Sequence, residues 1–220
     1  MSRVARVAMC AVLLALTQAS FARAASQCIP SWTLSTVPRF IRVVGTHGGE
    51  PDPAGLFVVT VRDFNNVPIA NSQVVLDFIN CLDVRLCSDQ PDPATVDCPT
   101  RTVRCFSDGA GIARFIILGA ARNRSGDPGT EGGQVRVIAD GVTLAMVTAV
   151  VPDENGALTT QGVEATDLSS LIADLGAQVY RARSDFNEDG VLGGADLARW
   201  LTWHGQGRSR DGCPARAMCP

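Results

Sequence analysis

The run Val58-Val59-Thr60-Val61-Arg62-Asp63-Phe64-Asn65-Asn66-Val67-Pro68-Ile69-Ala70-Asn71-Ser72-Gln73-Val74-Val75-Leu76-Asp77-Phe78 decides how the larger part of the chain folds. Phe57, Val59 and Val61 alternate with Val58, Thr60 and Arg62, while Val74, Leu76 and Phe78 share one face of residues 72–79. Alternation at period two is the signature of strands with one packed face. Asp63-Phe64-Asn65-Asn66 lies between them and supplies turn residues, so the pair predicts a hairpin. Outward from this pair, residues 101–105 and 112–118 read as strands around the turn Asp108-Gly109-Ala110-Gly111. Residues 134–139 and 142–150 read as another pair, around the tight-turn dipeptide Asp140-Gly141. No helical period interrupts residues 26–151, and about seven short strands at this spacing predict a mainly β, antiparallel sandwich.

Beyond Pro152 the period changes. Leu168, Leu171, Ile172 and Leu175 fall at helical spacing, as do Leu197, Trp200, Leu201 and His204. Gly176 and Gly205 stand where helices end. The segments beginning at Asp167 and Asp196 align at an offset of 29 residues, so residues 152–207 predict a small α-helical unit of two matched helices, followed by a cysteine-containing tail at 208–220.

The second helix is preceded by Asp185-Phe186-Asn187-Glu188-Asp189-Gly190-Val191-Leu192-Gly193-Gly194-Ala195-Asp196. Oxygen-bearing side chains at every second position, a glycine for the bend and a carboxylate at the last position fit an EF-hand-type calcium loop. Asp185, Asn187 and Asp189 would offer side-chain oxygens, Val191 its backbone carbonyl, and Asp196 would close the shell, with Leu192 turned inward. Ca2+ is favoured over zinc because every donor is a hard oxygen. The offset maps Asp185, Asn187 and Asp189 onto Gly156, Leu158 and Thr160, which carry no carboxylate; a first site would have to use Asp153 and Asn155 through an insertion.

The 220 residues are 46% hydrophobic and 19% charged, enough to bury a core. All 19 basic residues are arginine, and the net charge of −3, with no clustered basic face, argues against a protein that wraps nucleic acid. Arg3 and Arg6, an apolar run over residues 7–16 and Ala22-Arg23-Ala24 predict a signal peptide at residues 1–25, and hence a secreted, extracellular or cell-surface protein. The run is shorter than the roughly 20 apolar residues of a membrane span. Without residues 1–25 the net charge is −6, and residues 152–220 carry 10 acids against 6 arginines. Seven of the 8 cysteines remain, and local pairing is expected, Cys81 with Cys87, Cys98 with Cys105 and Cys213 with Cys219, leaving Cys28. With two histidines, His47 in a loop and His204 on a helix, and no G-x-S-x-G, H-E-x-x-H or P-loop, no enzyme is expected. Trp200 and His204 are expected to pack together, with Trp203 the more exposed tryptophan, and Asn123-Arg124-Ser125 fits a glycosylation sequon.

Two resemblances follow from these motifs. Residues 58–78, together with Ser107-Asp108-Gly109-Ala110-Gly111-Ile112-Ala113-Arg114-Phe115, resemble the bacterial Ig-like modules of surface and adhesin proteins. The duplicated loop-and-helix unit resembles the dockerin type I domain, which implies calcium-stabilised helices and a cohesin-like or other cell-surface protein as partner. The resulting expectation is a secreted, non-enzymatic calcium-binding modular protein for extracellular binding, display or adhesion. The alternative is a dockerin-bearing accessory component of a polysaccharide-degrading, cellulosome-like complex that binds a cohesin.

Overall fold

The computed structural model describes residues 28–82, 84–121, 134–153, 163–177, 179–209, 211–213 and 217–219; the signal segment, the 123–125 sequon and the first-repeat loop after Asp153 lie outside them. The chain is mainly β. Strands run β1 (Phe40–Val44), β2 (Thr46–His47), β3 (Glu50–Pro51), β4 (Leu56–Thr60), β5 (Gln73–Asp77), β6 (Val84–Leu86), β7 (Thr95–Asp97), β8 (Thr102–Phe106), β9 (Ile112–Ala121), β10 (Gln134–Ala139) and β11 (Val142–Val150). Helices α1 (Asp167–Gly176) and α2 (Gly194–Gly205) follow, with single 3-10 turns at Pro53–Gly55 and Ala182–Ser184.

Nine strands form one sheet in the order β4-β9-β1-β11-β10-β5-β8-β7, with β6 also on β9; β2 and β3 pair separately, which puts His47 in a short hairpin. The sheet curls so that β4 and β9 share one hydrophobic core with β5, β8, β10 and β11, filled by residues such as Phe57, Phe78, Phe115, Val74, Val137 and Val147. Phe57, Val74 and Phe78 are among the positions that the period-two pattern places on one face.

Two sequence expectations are corrected. Pairing is mixed rather than all antiparallel, because β1 runs parallel to both neighbours: Phe40 to Arg42 lie along Thr148 to Val150, while Val43 and Val44 lie along Ile117 and Leu118. One strand thus joins the two halves of the curl. In addition, β4 and β5 do not form a hairpin. Their pairing is confined to an Arg62↔Pro68 bridge, flanked by an Ile69 N–H to Val61 oxygen bond of 3.0 Å and an Asp63 N–H to Val67 oxygen bond of 2.9 Å. The Val61 N–H goes to Gly111 at 2.7 Å and the Asn71 N–H to Ser107 at 3.0 Å, so the chain crosses to the opposite half and β5 pairs with β8 and β10. The β10–β11 hairpin around Asp140-Gly141 forms as expected.

The local cysteine pairing is also overturned. The disulfides join Cys87 to Cys213 and Cys98 to Cys219 across 126 and 121 residues. Cys105 faces the core from β8 opposite Val74, whereas Cys98 follows the other end of that ladder, where Asp97 lies opposite Thr102. Three residues of strand, about 10 Å, separate those ends. The tail instead lies against β6, with the Cys219 N–H bonded to the Leu86 oxygen at 2.8 Å and the Ser88 N–H to the Ala217 oxygen at 3.0 Å. Cys105 keeps its thiol, and burial pushes its pKa up, against smaller opposing effects of backbone hydrogen bonds.

The helical segment is seated on the sheet. Leu171 of α1, Trp200 of α2 and Phe186 between them form a second core with Val150 of β11 and Val163. Trp203, expected to be exposed, is only 6% accessible, because it enters a third cluster with Val44, Leu118 and the Cys87–Cys213 bridge. Its indole N–H reaches Asp52 at 3.4 Å, and that of Trp200 reaches the Pro152 carbonyl at 3.2 Å. His204 stacks on Trp200 at 5.2 Å, as the helical spacing predicts. Burying two tryptophans of one helix in two clusters fixes its orientation as well as its position.

Candidate metal centre

Of the five residues nominated from sequence, Asp185, Asn187, Asp189 and Val191 fall in the loop that joins the Ala182–Ser184 turn to α2, and Asp196 lies in the first turn of α2 itself. The loop winds because its side chains capture its own amides. Asn187 Oδ1 accepts the Asp189 N–H at 3.1 Å and Asp189 Oδ1 accepts the Val191 N–H at 2.8 Å, two successive Asx turns. Gly190 takes φ +86°, the left-handed bend that glycine allows at no steric cost. Asp185 accepts the Asp189 N–H at 3.1 Å on Oδ1, and on Oδ2 it accepts the Gly190 N–H at 2.9 Å and the Tyr180 hydroxyl at 2.7 Å. Asp196 closes the loop: Oδ1 accepts the Asn187 N–H at 3.1 Å, and Oδ2 reaches back to the Gly193 N–H at 2.8 Å, so one carboxylate caps α2 and ties both ends of the loop. Asp167, in the first turn of α1, likewise reaches three residues back and accepts the Glu164 N–H at 2.7 Å. Both copies of the repeat therefore share an Asp that accepts the amide three residues before it.

Burial divides the set. Asp185 and Asp196 are 0% and 1% exposed, Asn187 and Asp189 lie at the surface, and Val191 is 66% exposed, leaving its backbone as its polar contribution. Leu192 is half-buried and lines a shallow cavity with Leu175, Val179 and Tyr180. Among the described residues neither Asp185 nor Asp196 has an ion pair; their partners are amides and one hydroxyl. Hydrogen bonds offset the desolvation of each carboxylate but leave the charge, and an uncompensated buried charge costs several kcal/mol.

Two neighbours carry no periodic or motif signal in the sequence. Tyr180, the one tyrosine of the chain, has its phenol pushed well above the usual range, first by burial, then by the hydrogen bond to Asp185 and by the charges of Asp185, Asp196 and Asp189. It stays protonated and donates. Arg42 of β1 forms an ion pair with Glu188, which holds a left-handed φ of +65° in mid-loop.

The donor set is all oxygen, which suits a hard cation rather than zinc. Among the described residues, however, no three His, Cys, Asp or Glu side chains converge as a metal-holding cluster, since these carboxylates point at amides of the loop. Compared with known protein families, curated proteins and solved structures, the chain matches none of them.

Proposed function

We propose that this chain is a secreted, non-enzymatic binding or display protein, in which an Ig-like sandwich carries a dockerin-like helical unit stabilised by one Ca2+ in the 185–196 loop. The observation that carries the calcium reading is the pair of fully buried carboxylates, Asp185 and Asp196, closing one loop with no cationic partner among the described residues. The ligands would be Asp185, Asn187, Asp189 and Asp196 through side chains and Val191 through its carbonyl. The ion's role is structural: it neutralises the loop and holds it to the start of α2. Two long-range disulfides accord with an oxidising compartment, and no helix among the described residues is long and apolar enough to cross a membrane.

The test is thermal unfolding of the chain from Ser26 onward, with millimolar calcium or with chelator. Calcium well above its Kd raises Tm by about 5–10 °C, and magnesium by less. Asp189→Ala, at an exposed position, removes that increment. Melting that is the same in calcium and in chelator would overturn the reading.

A further inference from the structure

A cavity of about 450 Å³ opens between α2, β1 and the Pro53–Gly55 turn. Three guanidinium groups line it, those of Arg42, Arg199 and Arg208, beside Gln206, Thr202 and Trp203. In a chain of net charge −3 this is a local reversal of sign. No carboxylate lines the cavity among the described residues; Glu188 and Asp52 hold Arg42 and Arg208 without lining it.

The donors exceed the acceptors. Arg208 uses Nε on Gln206 at 2.7 Å and Nη1 on Asp52 at 3.2 Å, leaving Nη2. Arg42 gives Nη2 to Glu188, while its Nε is buried with no hydrogen-bond partner. Arg199 makes no hydrogen bond or ion pair among the described residues. The carbonyl end of α2 attracts cations, but that field amounts to about half a unit charge within the last turn. Arg208 and His204 suffice for it, and it accounts neither for Arg199 in mid-helix nor for Arg42 on the sheet.

Guanidinium groups recognise planar carboxylates through paired N–H donors. The volume falls in the range of small-molecule sites, and a lone sulfate or phosphate would leave most of it unfilled. We propose that this cavity binds a sugar-sized organic anion, with Arg199 and Arg42 holding its carboxylate and Arg208 and Gln206 meeting its hydroxyl face. A free sugar acid and an acidic sugar within a polymer share this chemistry. The proposal goes beyond the calcium reading, because none of these groups belongs to the proposed ligand set.

The test is calorimetric titration of the chain from Ser26 onward with galacturonate, galactose and sulfate, alongside polygalacturonate. Saturable galacturonate binding, with galactose and sulfate each at least about ten-fold weaker, supports the site. Arg199→Gln, an exposed position with circular dichroism as the folding check, weakens galacturonate about ten-fold, and Arg199→Lys restores part of that loss. Tighter binding per residue of polygalacturonate identifies the polymer as the source, and equal binding the free acid. Absence of saturation, galactose or sulfate binding as tightly, or Arg199→Gln without effect overturns the proposal.

Discussion

Gly111 shows how one residue decides the path of the chain. It holds φ +75°, and a Cβ there would stand 2.6 Å from the Val61 carbonyl oxygen and 3.1 Å from the Ile69 nitrogen. Its own carbonyl receives the Val61 N–H, so the turn after β8 rests on the backbone where the chain leaves β4. The crossing between the halves of the sheet depends on that approach. Gly111→Ala therefore costs about 3 kcal/mol in chemical denaturation, from a forced left-handed alanine and a backbone clash that no rotamer relieves. Gly109→Ala, two residues earlier in the same turn, meets nothing within 4 Å and stays within about 0.5 kcal/mol. Equal losses at the two positions would show that the turn, rather than the close approach, sets the cost.

At the scale of elements, two turns repeat one device. Asp63 Oδ1 accepts the N–H groups of Asn65 and Val67, and Asp108 Oδ1 those of Ala110 and Ile112. Asp108 also binds Arg114 at 2.8 Å, and that hydrogen bond, followed by the one from Ile112, holds its carboxyl below the ordinary 3.8. The folded-state pKa lies below the unfolded one, so the contribution to stability is complete at neutral pH and is lost as pH falls through the folded value. Asp108→Asn accordingly flattens the acid limb of a stability-against-pH curve below about pH 4 while changing the slope at neutral pH little. The same scale shows what the sequence could display. The β10–β11 hairpin, helix α1 and the winding of the 185–196 loop are legible because dipeptide turns, helical spacing and alternating oxygens are local codes. β6 and β7, of three residues each, are too short to show a period, and in β1 Val43 and Val44 are both buried, which breaks alternation. Arg42 at the loop and the burial of Trp203 depend on partners far along the chain and leave no local trace, while Tyr180 meets Asp185 only five residues on but stands outside the alternating-oxygen pattern.

Across the whole molecule the tail works as a clasp. The two disulfides fasten residues 213 and 219 to the β6 and β7 side of the sheet, and the first of them also packs on Trp203 of α2. Cross-links closing more than a hundred residues restrict the unfolded chain strongly, so the double variant Cys87→Ala Cys213→Ala loses about 3 kcal/mol in denaturant unfolding. Non-reducing peptide mapping recovers Cys87 linked to Cys213 and Cys98 to Cys219; a Cys81–Cys87 peptide would contradict the fold. A different consequence follows from β1. Phe40 meets its partner at Thr148, and both neighbours of this strand run parallel to it, so no adjacent hairpin can template it. Closing such separated contacts carries the loop entropy that slows folding. During synthesis the residues from Phe40 to Val44 leave the ribosome early and stay unpaired until β9 and β11 have been made. The seam between the two halves of the sheet is then a late event in time, although it comes first in the order of strands.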